Sequence, residues 1–208
     1  MTDDQIQTIR DDIAFMKAMA EEGRRAPLLG GAILANAGAI FAGASVANWA
    51  IGTGRLAVGP MGYFVVWGFA MVAFVVALVV LTRRVKRQPG ASTPANRAFG
   101  TAWSAAGFAI FALWVALMVA DWRLQTHLVW MLFPSMILAL YGLGWSVSAA
   151  MSGQKWLNVV AIGAFVGAPA LAWFAGEPEQ YLAYAAALLL LAAVPGMLLM
   201  RKEPSDIV

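Results

Sequence analysis

The stretch MGYFVVWGFAMVAFVVALVVL, residues 61–81, runs for 21 residues without one charged side chain. At about 1.5 Å of rise per residue, a helix of that length spans about 30 Å, the hydrocarbon thickness of a bilayer. It reads as a transmembrane helix, and its neighbours repeat the pattern. Roughly 26–51, 98–120, 128–151, 156–175 and 181–200 are equally long and lack Asp, Glu, Lys, Arg and His.

Composition agrees. Charged residues make up 12% of the 208-residue chain and apolar residues 62%, whereas a soluble domain carries roughly 25% charged residues. Such a chain cannot cover itself with polar groups, so lipid is expected to be its solvent. The expected fold is an all-α integral membrane protein: a six-helix transmembrane bundle over 26–201. A cytoplasmic amphipathic helix at 1–25 precedes it and a short tail at 202–208 follows.

The connections are short and carry helix breakers, as in Gly52-Thr53-Gly54, Gly59-Pro60, Ser152-Gly153 and Gly176-Glu177-Pro178. Short links force consecutive helices to run antiparallel, which predicts three hairpins. The longer exception is 82–97, which carries five basic residues and no acid. Val46-Ala47-Asn48-Trp49, Val119-Ala120-Asp121-Trp122 and Leu171-Ala172-Trp173 end alternate stretches, a pattern that three copies of one hairpin would produce and that interfacial Trp preference also favours.

Lys and Arg set the orientation. Arg10, Lys17, Arg24, Arg25, Arg83, Arg84, Lys86, Arg87, Arg97, Lys155, Arg201 and Lys202, twelve residues, fall on one side, against Arg55 and Arg123 on the other. Both termini are therefore expected in the cytoplasm. The acidic character of 1–22 is unlike a basic signal n-region, so the first span is expected to be retained. The basic residues lie in short strips beside apolar spans, where they anchor a membrane protein, and nucleic acid is not an expected partner. The six-span layout resembles that of small bacterial inner-membrane proteins; likeness of layout implies a location and no activity.

Much chemistry is excluded by inventory. The chain has no cysteine and a single histidine, His127. Thiolate sites, histidine clusters and bis-histidine haem within one chain are ruled out, and neither metal nor cofactor is expected. Proton relays and charged-substrate paths need ionisable groups at depth, and the spans hold none. Ser104 and Ser135 have no base within their spans, so no catalytic residue is assigned. The mixed cluster of Arg55, Asp121, Arg123, His127, Glu177 and Glu179 reads as a solvated rim.

Polar residues within the spans are sparse. Asn36, Ser104, Ser135 and Tyr141 are the candidates to line a cavity, with Asn36 counted near the midplane and Pro134 and Pro169 expected to bend their helices. Gly31, Ala35 and Gly38, and Gly163 and Gly167, are the candidate helix-packing residues, because small side chains let helices approach closely in lipid.

At the N-terminus, Thr2 and Gln5 form a weak capping box with Asp3 and Asp4 in the first turn. Ile6, Ile9, Ile13, Met16 and Ala20 then recur at spacings of three and four, an apolar stripe that must be covered by something. Residues 1–25 hold six acidic and four basic side chains, which disfavours anionic lipid as the cover. The 82–97 loop and another protein, a second copy included, rank ahead of the membrane surface. The expected function is a non-catalytic accessory, scaffold or regulatory subunit engaging a protein partner or its own copies through Ile6, Ile9, Ile13 and Met16. The competing expectation is a small transporter or channel for an uncharged solute, with an apolar pigment held among the Trp-rich helices as a third.

Overall fold

The computed structural model describes residues 3–25 and 27–203, with the backbone alone for 3, 4 and 18–25. Thr2, residues 204–208 of the expected tail, and the side chains of Ala20, Arg24 and Arg25 lie outside the described residues. Helices follow one another along the chain, and no strand occurs among the described residues.

Among the described residues, seven helices carry the architecture: α1 (Asp3–Arg25), α2 (Gly31–Gly52), α3 (Met61–Val85), α4 (Pro94–Leu124), α5 (Phe133–Ser152), α6 (Trp156–Ala172) and α7 (Glu179–Met200). Five of them, α2, α3, α4, α5 with the turn before it, and α7, are long and apolar enough to cross a membrane. The sixth apolar helix, α6, is shorter at 17 residues, about 25 Å.

Helix ends depart from the expected boundaries for identifiable reasons. The first apolar stretch becomes helical only at Gly31, because Gly30 takes a left-handed φ of 99° and Pro27–Gly30 approach as a non-helical arm. Much of 82–97 is helix rather than loop. Arg83 and Arg84 prolong α3, and Thr93-Pro94 starts α4 early, the Thr93 hydroxyl accepting from Asn96 N–H at 3.4 Å. A hydroxyl cap followed by proline in the first turn is a strong start signal. With no breaker before Gln125, whose φ is 51°, α4 reaches 31 residues.

A 3-10 turn, His127–Leu132, leads into α5, so Pro134 falls in the first turn of its helix and bends nothing. Its missing N–H is one that a helix start leaves unpaired in any case. Pro169 does lie inside α6, near its C-terminal end.

Packing follows a row. Contacts link α3 to α2, α2 to α7, α7 to α6, α6 to α5 and α5 to α4. The inner helices bury their small and apolar faces around Trp145, Leu138, Leu157, Leu188 and Ala164. The outer two are nearly bare: α3 buries only Ala70 among its described residues, and Phe64 and Phe69 stand out from it. Apolar side chains so displayed are stable only in an apolar solvent.

Candidate functional site

Three places combine polar chemistry with defined geometry: the basic end of the bundle, the interior between α4, α5 and α7, and the surface of α1. At the basic end, Asn96 is buried and bonded on both sides of its amide. Leu29 N–H donates to Asn96 Oδ1 at 2.8 Å, and Asn96 Nδ2 donates to the Pro27 and Gly90 carbonyls at 3.1 and 3.0 Å. The amide thereby joins the arm before α2, the loop before α4 and α4 itself.

Beside it, Gly30 and Gly31 N–H donate to Glu203 Oε1 at 3.0 and 2.9 Å. A carboxylate at a helix N-terminus satisfies unpaired donors and meets the positive end of the dipole. The cap of α2 thus arrives from the far end of the chain. Lys202 Nζ lies 5.5 Å from the centre of the Trp156 ring, which ties α6 to the same corner.

The interior is stitched by indoles. Trp103 packs edge-on against Tyr141 and Trp145, with centroids 5.3 and 5.0 Å apart, and its Nε1–H donates to Ser148 Oγ at 3.2 Å. Trp145 Nε1–H donates to the Leu191 carbonyl at 2.7 Å. Leu191 sits in a π-helical segment, Leu189–Ala193, four residues before Pro195. Proline has no N–H to return to that carbonyl, and the indole of α5 takes its place. On the opposite side of α2, Trp67 Nε1–H donates to Asn48 Oδ1 at 2.9 Å, and Tyr181 reaches the same amide.

The small-residue candidates sit at helix contacts within the chain. A Cβ on Gly31 would come 2.5 Å from the Gly196 carbonyl oxygen, one on Gly38 2.6 Å from Ala193 N, and one on Gly196 2.5 Å from Ala35 N. Cβ positions on Gly163 and Gly167 would meet Leu191 and Leu138 at 3.1 and 3.4 Å.

The four cavity candidates are not brought together. Tyr141 is buried against Trp103, Ser104 is exposed on α4, and Ser135 is half-buried with a hydroxyl that lacks a partner. Asn36 borders an open groove between α2 and α3, and it is not near mid-helix. It stands five residues into α2, about 8 Å from the start, because the helix begins later than expected.

At the far end, His127 Nδ1 lies 2.8 Å from Asp121 Oδ1, and Arg55 stacks over Trp49 at 4.6 Å. The His127 side chain is 91% exposed, so water screens this pair. Gln180 is the buried polar group there, its Nε2 donating to the Met131 and Leu171 carbonyls at 2.7 and 3.4 Å.

Along α1, Ile6, Ile9, Ile13 and Met16 are 36, 47, 56 and 64% exposed, although the helix approaches α4 and α5. Among the described residues these four side chains are left largely exposed.

Asn96, Glu203 and the Trp145–Pro195 pair escaped the sequence reading. Asn96 and Glu203 resemble ordinary solvated groups beside a loop and in a tail, and their partners lie 67 and 173 residues away. Pro195 was the available signal, since a proline inside an apolar helix leaves a carbonyl that some donor must meet.

No protein-family model matches this chain, and neither a curated protein nor a solved structure matches it.

Proposed function

We propose that the protein is a non-catalytic accessory or scaffold subunit of a bacterial inner membrane, docking a protein partner on the apolar stripe of α1. In this reading α6 crosses the bilayer with the other five apolar helices, in three hairpins with both termini in the cytoplasm. The observation that carries it is the uncovered row of Ile6, Ile9, Ile13 and Met16 on a helix beyond the apolar bundle. An isolated helix of this kind is marginal in water and gains most from burying its apolar face. Its excess of acidic side chains opposes an anionic membrane surface, which favours protein as the cover.

The bundle behind it suits a support. Its interior packs aromatic rings and small residues in mutual contact, with Tyr141 buried against Trp103 and Ser104 exposed on α4. Replacing Ile9 and Ile13 together by Asp tests the reading. The wild type should run as a larger complex in mild detergent, and the variant should insert normally and lose that complex. A complex of unchanged size would refute it.

A further inference from the structure

Given the docking role proposed above for α1, on which this inference rests, the charges beside the stripe indicate which protein covers it. Ile6, Ile9, Ile13 and Met16 alternate at spacings of three and four over two heptads, the seam pattern of a coiled coil. With Ile6 and Ile13 at the first seam position and Ile9 and Met16 at the second, Arg10 and Lys17 fall along one flank and Asp12 on the other. Asp11 takes the outermost position, away from the seam. Every side chain from Gln5 to Lys17 is exposed, so the bundle leaves both flanks reachable along with the seam.

The flanks are opposite in sign and unmatched along their own helix. No oppositely charged residue stands three or four positions from Arg10 or Asp12, the spacings at which helix neighbours pair. In a parallel, in-register coiled coil, a residue on the Asp12 flank meets the one five positions further on in the facing helix. When α1 packs on its own copy, Asp12 therefore meets Lys17 of the second copy, and symmetry makes the pair twice. The antiparallel arrangement instead sets basic flank against basic flank, Arg10 facing Lys17.

We propose that the occupant of the stripe is α1 of a second copy of this chain, in a parallel, in-register coiled coil. A different protein would have to bring its own acid to Lys17 and its own base to Asp12, whereas a second copy already carries both. Copies threaded alike in one bilayer present α1 on the same side, as the parallel arrangement requires. Two heptads are short for a free coiled coil, and confinement of the bundles to one membrane supplies the local concentration that offsets this.

The chain has no cysteine, so single introduced thiols report contacts between copies of the full chain. In isolated native membranes under mild oxidation, Ile9→Cys and Met16→Cys should each give a disulfide-linked species of twice the chain's mass, and Asp11→Cys should not. Charge then tests the register. In the Ile9→Cys background, Asp12→Lys and Lys17→Asp should each lower the linked fraction about three- to tenfold. Both changes in one chain, or the two variants expressed together, should restore it. Linkage from Asp11→Cys equal to that from Ile9→Cys would overturn the proposal, as would linkage of Met16→Cys only to Ile6→Cys, or a linked fraction indifferent to the charge changes. Absence of any link between copies would also overturn it, and a photocrosslinker at position 9 then separates the two readings. An adduct to a different protein leaves the docking role of α1 standing, and no protein adduct removes both.

Discussion

Gly31 and Gly196 set how closely α2 and α7 approach, since a Cβ on either would overlap the backbone of the other helix. Gly31→Val should destabilise the bundle by about 1–3 kcal/mol or more, the cost of overpacking a filled contact. Gly43→Val is the control, because its Cβ would meet nothing within 4 Å. Thermal unfolding in detergent compares the two, and equal losses would show that α2 and α7 are not in close contact. Asn96 makes a second residue-scale prediction. Asn96→Ala removes the hydrogen bonds to Leu29, Pro27 and Gly90, worth about 1–4 kcal/mol together at typical net values. Loss of the Glu203 carboxylate in Glu203→Gln should cost less, about 0.3–1 kcal/mol, since the amide oxygen still accepts and only the charge at the helix end is lost. The glycine spacing on α2 was legible as a packing signal. Its partner was not, because Gly196 lies 165 residues further on and spacing along one helix does not name the helix it meets.

Among the elements, α7 is the one whose sequence most conflicts with a regular helix. Pro195 deprives the Leu191 carbonyl of its usual donor, the backbone widens to a π turn at Leu189–Ala193, and Trp145 supplies an N–H from α5. Trp145→Phe should therefore cost about 1–2 kcal/mol for the lost hydrogen bond, beyond any packing change. Pro195→Ala should recover part of that loss in the Trp145→Phe background, because the backbone regains a donor for the same carbonyl. A double-mutant cycle on unfolding free energy reads the coupling directly, and additive effects would deny that the indole stands in for the missing N–H. Helix existence was legible throughout, since five of the apolar stretches reappear as spanning-length helices. The ends were less so. Composition marks where hydrocarbon-compatible residues stop, whereas Thr93, Gly30 and Gln125 decide where the backbone turns, and polar residues such as Asn96 and Arg97 extend a helix past its apolar part.

For the whole molecule, a row of helices with α3 and α4 at its edges presents a large apolar exterior, while α1 stays outside it. Orientation belongs to this scale. In the topology proposed above twelve Lys and Arg fall on one side and two on the other, so a cysteine at Lys155 should react with a membrane-impermeant thiol reagent only after cells are opened. A cysteine at Arg55 should react in intact cells. The reverse pattern would invert the topology proposed above. The charge-free spans were plain in the sequence, and so was the stripe on α1. That the stripe is left bare depended on where the chain folds back, which periodicity along one helix does not encode. The most direct measurement is site-specific photocrosslinking in native membranes from positions 9 and 13 on the stripe, and from position 11 on the opposite side of α1. A discrete protein adduct from positions 9 and 13, and none from 11, is the predicted result. Equal adducts from all three positions, or adducts to lipid alone, would contradict the docking role assigned to α1.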